Sequence, residues 1–266
     1  MLGGIQFEKS TNGSSCFNIQ EISDDLKEVI RQRLSEICYG AAKASRNTTL
    51  YSYQNTLAAF FQKFDSKSLD TQKGMIGELL AHVLFLHYEN EFRAASAHFN
   101  LEEDSIKKGF DLVLHNETTS QIWFVEVKAG ECGTQTTIQK LGGLLSLAKN
   151  DLKTALNSDR KTLWQNAVNG ATVVIQESDF KAQIERLLES YNEKAISGAA
   201  TSTDYNAVLV AVCFPGAQAF ATGVDFEARH ATQKEMKEFR DLISVALQKD
   251  TLQSVVDFLR SEIGDV

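Results

Sequence analysis

The sequence predicts an α/β fold: a mixed central sheet flanked by helices, with a helical extension at the N-terminus. Three observations carry this. The strand-like runs GFDLVLH (109–115) and QIWFVEVKAG (121–130) are joined by the short polar link NETTS, the length of a hairpin. AVLVAVCF (207–214) is a continuous apolar run of strand length, the kind buried on both faces of a sheet. Stretches with helical periodicity precede, separate and follow these runs. With 266 residues, 43% of them hydrophobic, the chain can bury a substantial core without disulfide or metal staples. The expected organisation is an arm and helical extension over 1–65 followed by one α/β domain over 66–266.

Taken in order, residues 1–20 are rich in Ser, Asn and Gly and read as a loose arm or an edge strand. Ser23 is an N-cap before Asp24 and Asp25, and Leu26, Val29, Ile30, Leu34, Ile37 and Cys38 form one apolar helical stripe. A second helix is expected over about 48–63, around Leu57, Phe60 and Phe61, and FDSKSLD breaks it. From Thr71, TQKGMIGELLAHVLFLHYENE is apolar on more than one face, as a buried helix is. Strands follow at 92–99, 109–115 and 121–130, then a helix from about Thr136 to Leu156 and a strand ATVVIQ (171–176). A helix over 179–195, the polar loop SGAATSTD and the strand 207–214 come next. A weaker strand, AFATGVD (219–225), and a closing helix from about Thr232 to Ile263 complete the expected pattern.

Composition excludes several classes. No apolar run reaches the length of about 18 residues that a membrane span needs, and the N-terminus has neither a basic nor an apolar targeting segment. Cys16, Cys38, Cys132 and Cys213 form no CxxC pair, which points to reduced thiols and a cytoplasmic setting. HExxH, GxxxxGK[ST], GxGxxG and GxSxG are all missing, so zincin, nucleotide-hydrolysing, dinucleotide-binding and serine-hydrolase chemistries have no motif to rest on. His82 and His87 are five apart, off the spacing of a helical metal pair, and Cys132 has no paired histidine.

One constellation remains. Side chains alternate along a strand, so Glu126 and Lys128 project from one face of IWFVEVK while Val125 and Val127 project from the other. Charge on an otherwise apolar strand costs several kcal/mol per ion, on the order of what a partner or a metal must return. Taken alone, an ExK on a strand is most simply an ion pair. Asp111, at the start of the preceding strand, is brought beside Glu126 by the hairpin, and two neighbouring carboxylates suit a hard divalent cation that keeps several waters. Gly74 and Gly77 interrupt the apolar helix, where close approach of another backbone is the natural reason, and such approach would set Glu78 against the strands.

The order of helix Glu78, then Asp111, then Glu126-x-Lys128, then a helix resembles the PD-(D/E)xK nuclease superfamily, with GFD standing where the family name has PD. The resemblance covers about 71–176 and implies a restriction-endonuclease-like core hydrolysing phosphodiesters. Carried over residue by residue, it makes Asp111 and Glu126 the ligands of Mg²⁺ (Mn²⁺ as substitute), Lys128 the catalytic lysine, and Glu78 an acid supporting the metal or its water. Gln135 and Gln139, on or near the helix after the motif, are candidate auxiliary residues. More narrowly, GELLAH, the strand with Ser96, KGFD and VEVKAGE resemble the HamA family, the nuclease subunits of Hachiman-type bacterial antiphage defence, which work with a superfamily 2 helicase. What this implies is a Mg²⁺-dependent DNA nuclease acting with a helicase; the alternative is a silent nuclease-fold module that binds and regulates such a partner.

Charge bears on the partner. The chain has 27 Lys plus Arg against 35 Asp plus Glu, a formal net charge of −8, which disfavours a stand-alone salt-driven DNA binder. Within 71–161 there are ten basic and twelve acidic side chains, so most of the excess lies elsewhere. Over 134–161, Lys140, Lys149, Lys153, Arg160 and Lys161 stand against Asp151 and Asp159, a modest basic stripe. DNA is therefore expected to be delivered by a more basic partner.

Overall fold

A computed structural model describes residues 1–96, 109–158, 161–175 and 178–263. Its centre is a seven-stranded mixed sheet built from β1 (Ile5–Lys9), β2 (Ser14–Ile19), β3 (Phe92–Ala94), β4 (Leu112–Asn116), β5 (Gln121–Glu131), β6 (Asn206–Phe214) and β7 (Asp241–Lys249). The strand order is β1-β2-β7-β6-β5-β4-β3. The four inner strands β2, β7, β6 and β5 run parallel, and hairpins at both edges add the antiparallel pairs β1/β2, β4/β5 and β3/β4. The fold is thus α/β with a mixed sheet, as the sequence predicts. The first twenty residues form an edge hairpin of that sheet rather than a loose arm. The third strand is seen over Phe92–Ala94, and positions 97–99 of the expected run lie outside the described residues.

Two layers of helices cover the two faces. One face carries α1 (Asp24–Tyr39), α3 (Tyr53–Asp65), α4 (Leu69–Tyr88) and α9 (Leu252–Ser261), with the short α2 (Ala41–Arg46) between the first two. Leu26, Ile30, Phe60, Ile76, Leu80 and Val255 pack there on Val125, Val208, Val210 and Leu247. The other face carries α5 (Thr137–Leu156), α6 (Lys161–Val174), α7 (Ser178–Ile196) and α8 (Gly223–Glu235). There Leu141, Leu145, Trp164, Leu188 and Phe226 pack on Phe124, Leu209 and Ala211. Hydroxyl N-caps begin the helices where the sequence changes to helical periodicity: Ser23, Ser52, Ser68, Thr136, Thr222 and Thr251 each accept a bond from a first-turn backbone N–H.

Three expected elements are corrected. ATVVIQ is not a strand; its described part ends α6, and Trp164, Ala167, Val168 and Ala171 are buried at three-to-four spacing, so the helical stripe overrides the β-branched composition. AFATGVD is not a strand either, because Thr222 and Asp225 form a capping box that starts α8, with Phe226 and His230 buried one turn apart. The expected closing helix from Thr232 is broken by β7, whose central residues are buried on both faces between β2 and β6, and only then does α9 begin.

Candidate functional site

Strand β5 places the central residues. Glu126 and Lys128 face the α5 side, in register with Leu209 and Ala211 of β6, so the sheet neighbour offers neither charge a partner. The antiparallel register Leu112↔Val125, continued one step, sets Asp111 opposite Glu126. Asp111 lies at the mouth of β4, where its Oδ2 accepts the Val127 backbone N–H at 2.8 Å. The strand end thereby satisfies one donor and holds the carboxylate in place.

Lys128 Nζ donates to Glu126 Oε1 at 2.7 Å and lies 2.8 Å from Asp151 Oδ2, a carboxylate contributed by α5. The side chain of Glu126 is 14% exposed, that of Lys128 28% and that of Asp151 58%. The cluster therefore opens from a buried floor at Glu126 to solvent at Asp151. Burial, then the neighbouring Asp111 charge, push the Glu126 carboxyl up to about 8 against the pull of Lys128. Lys128 is held charged, since Glu126 and Asp151 outweigh its burial. With Glu126 ionised, as a bound cation would favour, three carboxylates and one ammonium would together carry a net charge of −2.

The remaining candidates are placed as follows. Gly77 of α4 packs directly on the sheet, where an added Cβ would stand 2.7 Å from that of Ala129 and 3.4 Å from that of Val212. Gly74 faces open space, its nearest atom an oxygen of Glu78 at 4.0 Å, so only one of the two glycines marks a close approach. Lys73 clamps the start of α4 to the end of β5 through Glu131 at 3.0 Å. Glu78 follows Gly77 and is half-buried, but α4 covers the face opposite to the one bearing Glu126 and Lys128. Gln139 closes the α5 capping box with Thr136, and Gln135 is exposed in the preceding turn, its carbonyl accepting from Gln218. Ser96 is buried, its Oγ accepting the Val113 N–H at 2.9 Å. All four cysteines are free and buried, Cys132 and Cys213 meeting Sγ to Sγ at 3.3 Å.

The residue that sequence reasoning missed is Asp151. Its signal was present: 151 follows the buried Leu144 and Ala148 at spacings of seven and three, on the side of α5 that meets the sheet. Counted only as an acid in a basic stripe, it turns out to be the partner of the motif lysine. That stripe is also less free than its composition suggests, because Lys153 pairs with Glu238 at 2.7 Å, and Arg160 lies outside the described residues.

A divalent cation can be tested against these residues. Mg²⁺ takes one or two carboxylates and retains several waters. Asp111 and Glu126 are adjacent carboxylates, the second of them desolvated, and fit that requirement; the upward push on Glu126 is what a cation would relieve. Among the described residues no group of three or more His, Cys, Asp or Glu side chains is placed to hold a metal. Among the same residues no helix is long and apolar enough to cross a membrane. A family model described as HamA matches residues 5–263, nearly the whole chain. No curated protein matches it.

Proposed function

Since this chain belongs to the HamA family, the antiphage defence proteins of the Hachiman system, we propose that it is the system's divalent-metal-dependent DNA nuclease, working in the cytoplasm with a superfamily 2 helicase. The observation that carries the reading is the meeting of Asp111, Glu126 and Lys128: a desolvated carboxylate opposite a second one, with an ammonium 2.7 Å away. In this reading Asp111 and Glu126 hold Mg²⁺ or Mn²⁺. When bound, the cation supplies Lewis acidity and a more acidic water. Lys128 stands beside the pair rather than on it, charged, where it can orient the attacking water and neutralise charge developing on a phosphate. The backbone of β5, paired between β4 and β6, keeps Glu126 and Lys128 in register, and Asp111, just before β4, is held by the Val127 N–H. Glu78 would support the metal or its water in this reading only by reaching past β5, since α4 covers the face opposite to Glu126 and Lys128.

The test is cleavage of duplex DNA in Mg²⁺ by wild type and by the double variant Glu126→Ala, Lys128→Ala. The expected outcome is loss of metal-dependent cleavage with an unchanged far-ultraviolet circular dichroism spectrum. Retained cleavage would overturn the assignment. Divalent-metal titration separates a nuclease from a silent module: the nuclease binds Mg²⁺ or Mn²⁺ through Asp111 and Glu126, and Asp111→Asn weakens that binding.

A further inference from the structure

We propose that Asp151 of α5 is a positioning residue for Lys128, the anion that keeps the ammonium aimed at the reaction centre once Glu126 is engaged by a divalent cation. The inference rests on the nuclease reading above. Lys128 bonds two carboxylates, Glu126 Oε1 at 2.7 Å and Asp151 Oδ2 at 2.8 Å. The two partners are not equivalent. Glu126 is the more buried acid, opposite Asp111, and is the metal ligand of the proposed function; Asp151 comes from a different element and is more than half exposed.

A carboxylate that ligates a cation has less charge to offer a neighbouring ammonium, and the cation repels that ammonium directly at close range. A lysine held only by Glu126 would then lose its anchor in the state in which it must act. Its four-carbon stem has rotamer freedom that a single bond does not remove. Asp151 supplies the second anchor from outside the metal pair. Helix α5 in turn is fixed at its start by the Thr136–Gln139 capping box, and further along by packing on α8, where Gly142 meets the stem of Arg229 and Gln233 bonds Ser146. The anchor thus belongs to a rigid element. Its exposure means that removing the carboxylate leaves no buried polar group unpaired, so a change in function can be separated from loss of fold.

Two measurements test this. In single-turnover cleavage of duplex DNA in Mg²⁺, Asp151→Ala lowers the cleavage rate constant about tenfold while half-saturating Mg²⁺ and DNA stay within about twofold of wild type, and Asp151→Glu restores most of the rate. A rate within twofold of wild type, or an equal loss in Asp151→Glu with a lowered melting temperature, overturns the proposal. The second measurement needs no activity: acylation of the Lys128 amine, read by mass spectrometry with and without Mg²⁺. In wild type the labelling is the same in both conditions, whereas in Asp151→Ala it rises about threefold on adding Mg²⁺, as expected when the charge-assisted bond to Glu126 is weakened and that to Asp151 is gone. Equal labelling of the two proteins in Mg²⁺ overturns the proposal. If the Glu126→Ala, Lys128→Ala double variant cleaves DNA as wild type does, the nuclease reading falls, and the labelling alone decides whether Asp151 holds Lys128.

Discussion

At Gly77 the contact between α4 and the sheet leaves no room for a methyl group, because an added Cβ would meet that of Ala129 at 2.7 Å, and neither backbone can yield without separating helix from strand. Gly77→Ala should therefore destabilise the protein by about 1–3 kcal/mol through overpacking. Gly74→Ala, facing open space, should stabilise it by about 0.5–1 kcal/mol through helix propensity. Urea unfolding of the two variants reads the difference, and equal effects would remove the close approach as the explanation. His230 gives a second prediction. It is fully buried, with one ring nitrogen 2.9 Å from the Asn12 carbonyl and the other 2.9 Å from Ser244 Oγ. A carbonyl only accepts, so Nε2 carries the proton and neutral Nδ1 accepts from the hydroxyl. Burial first, with Lys234 adding to it, holds its pKa below the ordinary histidine value against the bond to Asn12 and the charges of Glu227 and Asp241. The unfolded chain then binds the proton more readily, and stability contributed at neutral pH is lost as pH falls below about 6.5. Melting temperature from pH 7.5 to 5.5 should drop less in His230→Gln than in wild type. Comparing the two proteins cancels the opposite slope that the raised Glu126 contributes.

At the scale of elements, α5 links the fold to the candidate site, since it carries Asp151 and begins at a complete capping box. Thr136→Ala removes the side-chain acceptor for the Gln139 N–H and should cost about 1 kcal/mol, measured by urea unfolding, with little change in the contacts of Leu144 and Ala148 deeper in the helix. Legibility in the sequence varied along the chain for similar physical reasons. The hairpin of β4 and β5 could be read because a polar link of five residues joins two runs of strand length, and period-two alternation then fixes Glu126 and Lys128 on one face. The β6 run could be read because its residues from Ala207 to Phe214 are all apolar, as suits a strand buried on both faces. By contrast ISVAL within β7 is too short to separate a strand from a helix by periodicity, and no glycine or proline sets it off from the helices on either side. ATVV is β-branched like a strand, yet it continues the helical stripe of α6 that includes Trp164. The same limit hid Asp151, whose relation to Lys128 depends on how α5 is rotated against the sheet. Periodicity likewise does not say which face α4 covers, and the structure sets that helix on the side of the sheet away from Lys128.

For the whole molecule, the net charge of −8 decides how substrate can be reached. Cations near the candidate site are already engaged by carboxylates: Lys128 with Glu126 and Asp151, Lys73 with Glu131, Lys153 with Glu238. Of the basic stripe along α5, Lys140 and Lys149 are the described lysines outside such ion pairs, the first with its stem over Gly130 and the second beside the sulfur of Met236. A surface that neutralises about two phosphates should show a salt slope near −2 in a plot of log affinity against log salt, far from the slope of a protein making about six to ten such contacts. If the proposed function holds, the purified chain should therefore bind duplex DNA weakly at physiological salt, cleave it poorly, and gain both with a more basic partner present. Fluorescence anisotropy across a salt series tests this directly. A steep slope with tight binding by the chain alone would mean that its own surface captures DNA, and the need for delivery by a partner would fall while the nuclease assignment of Asp111, Glu126 and Lys128 stood unaffected.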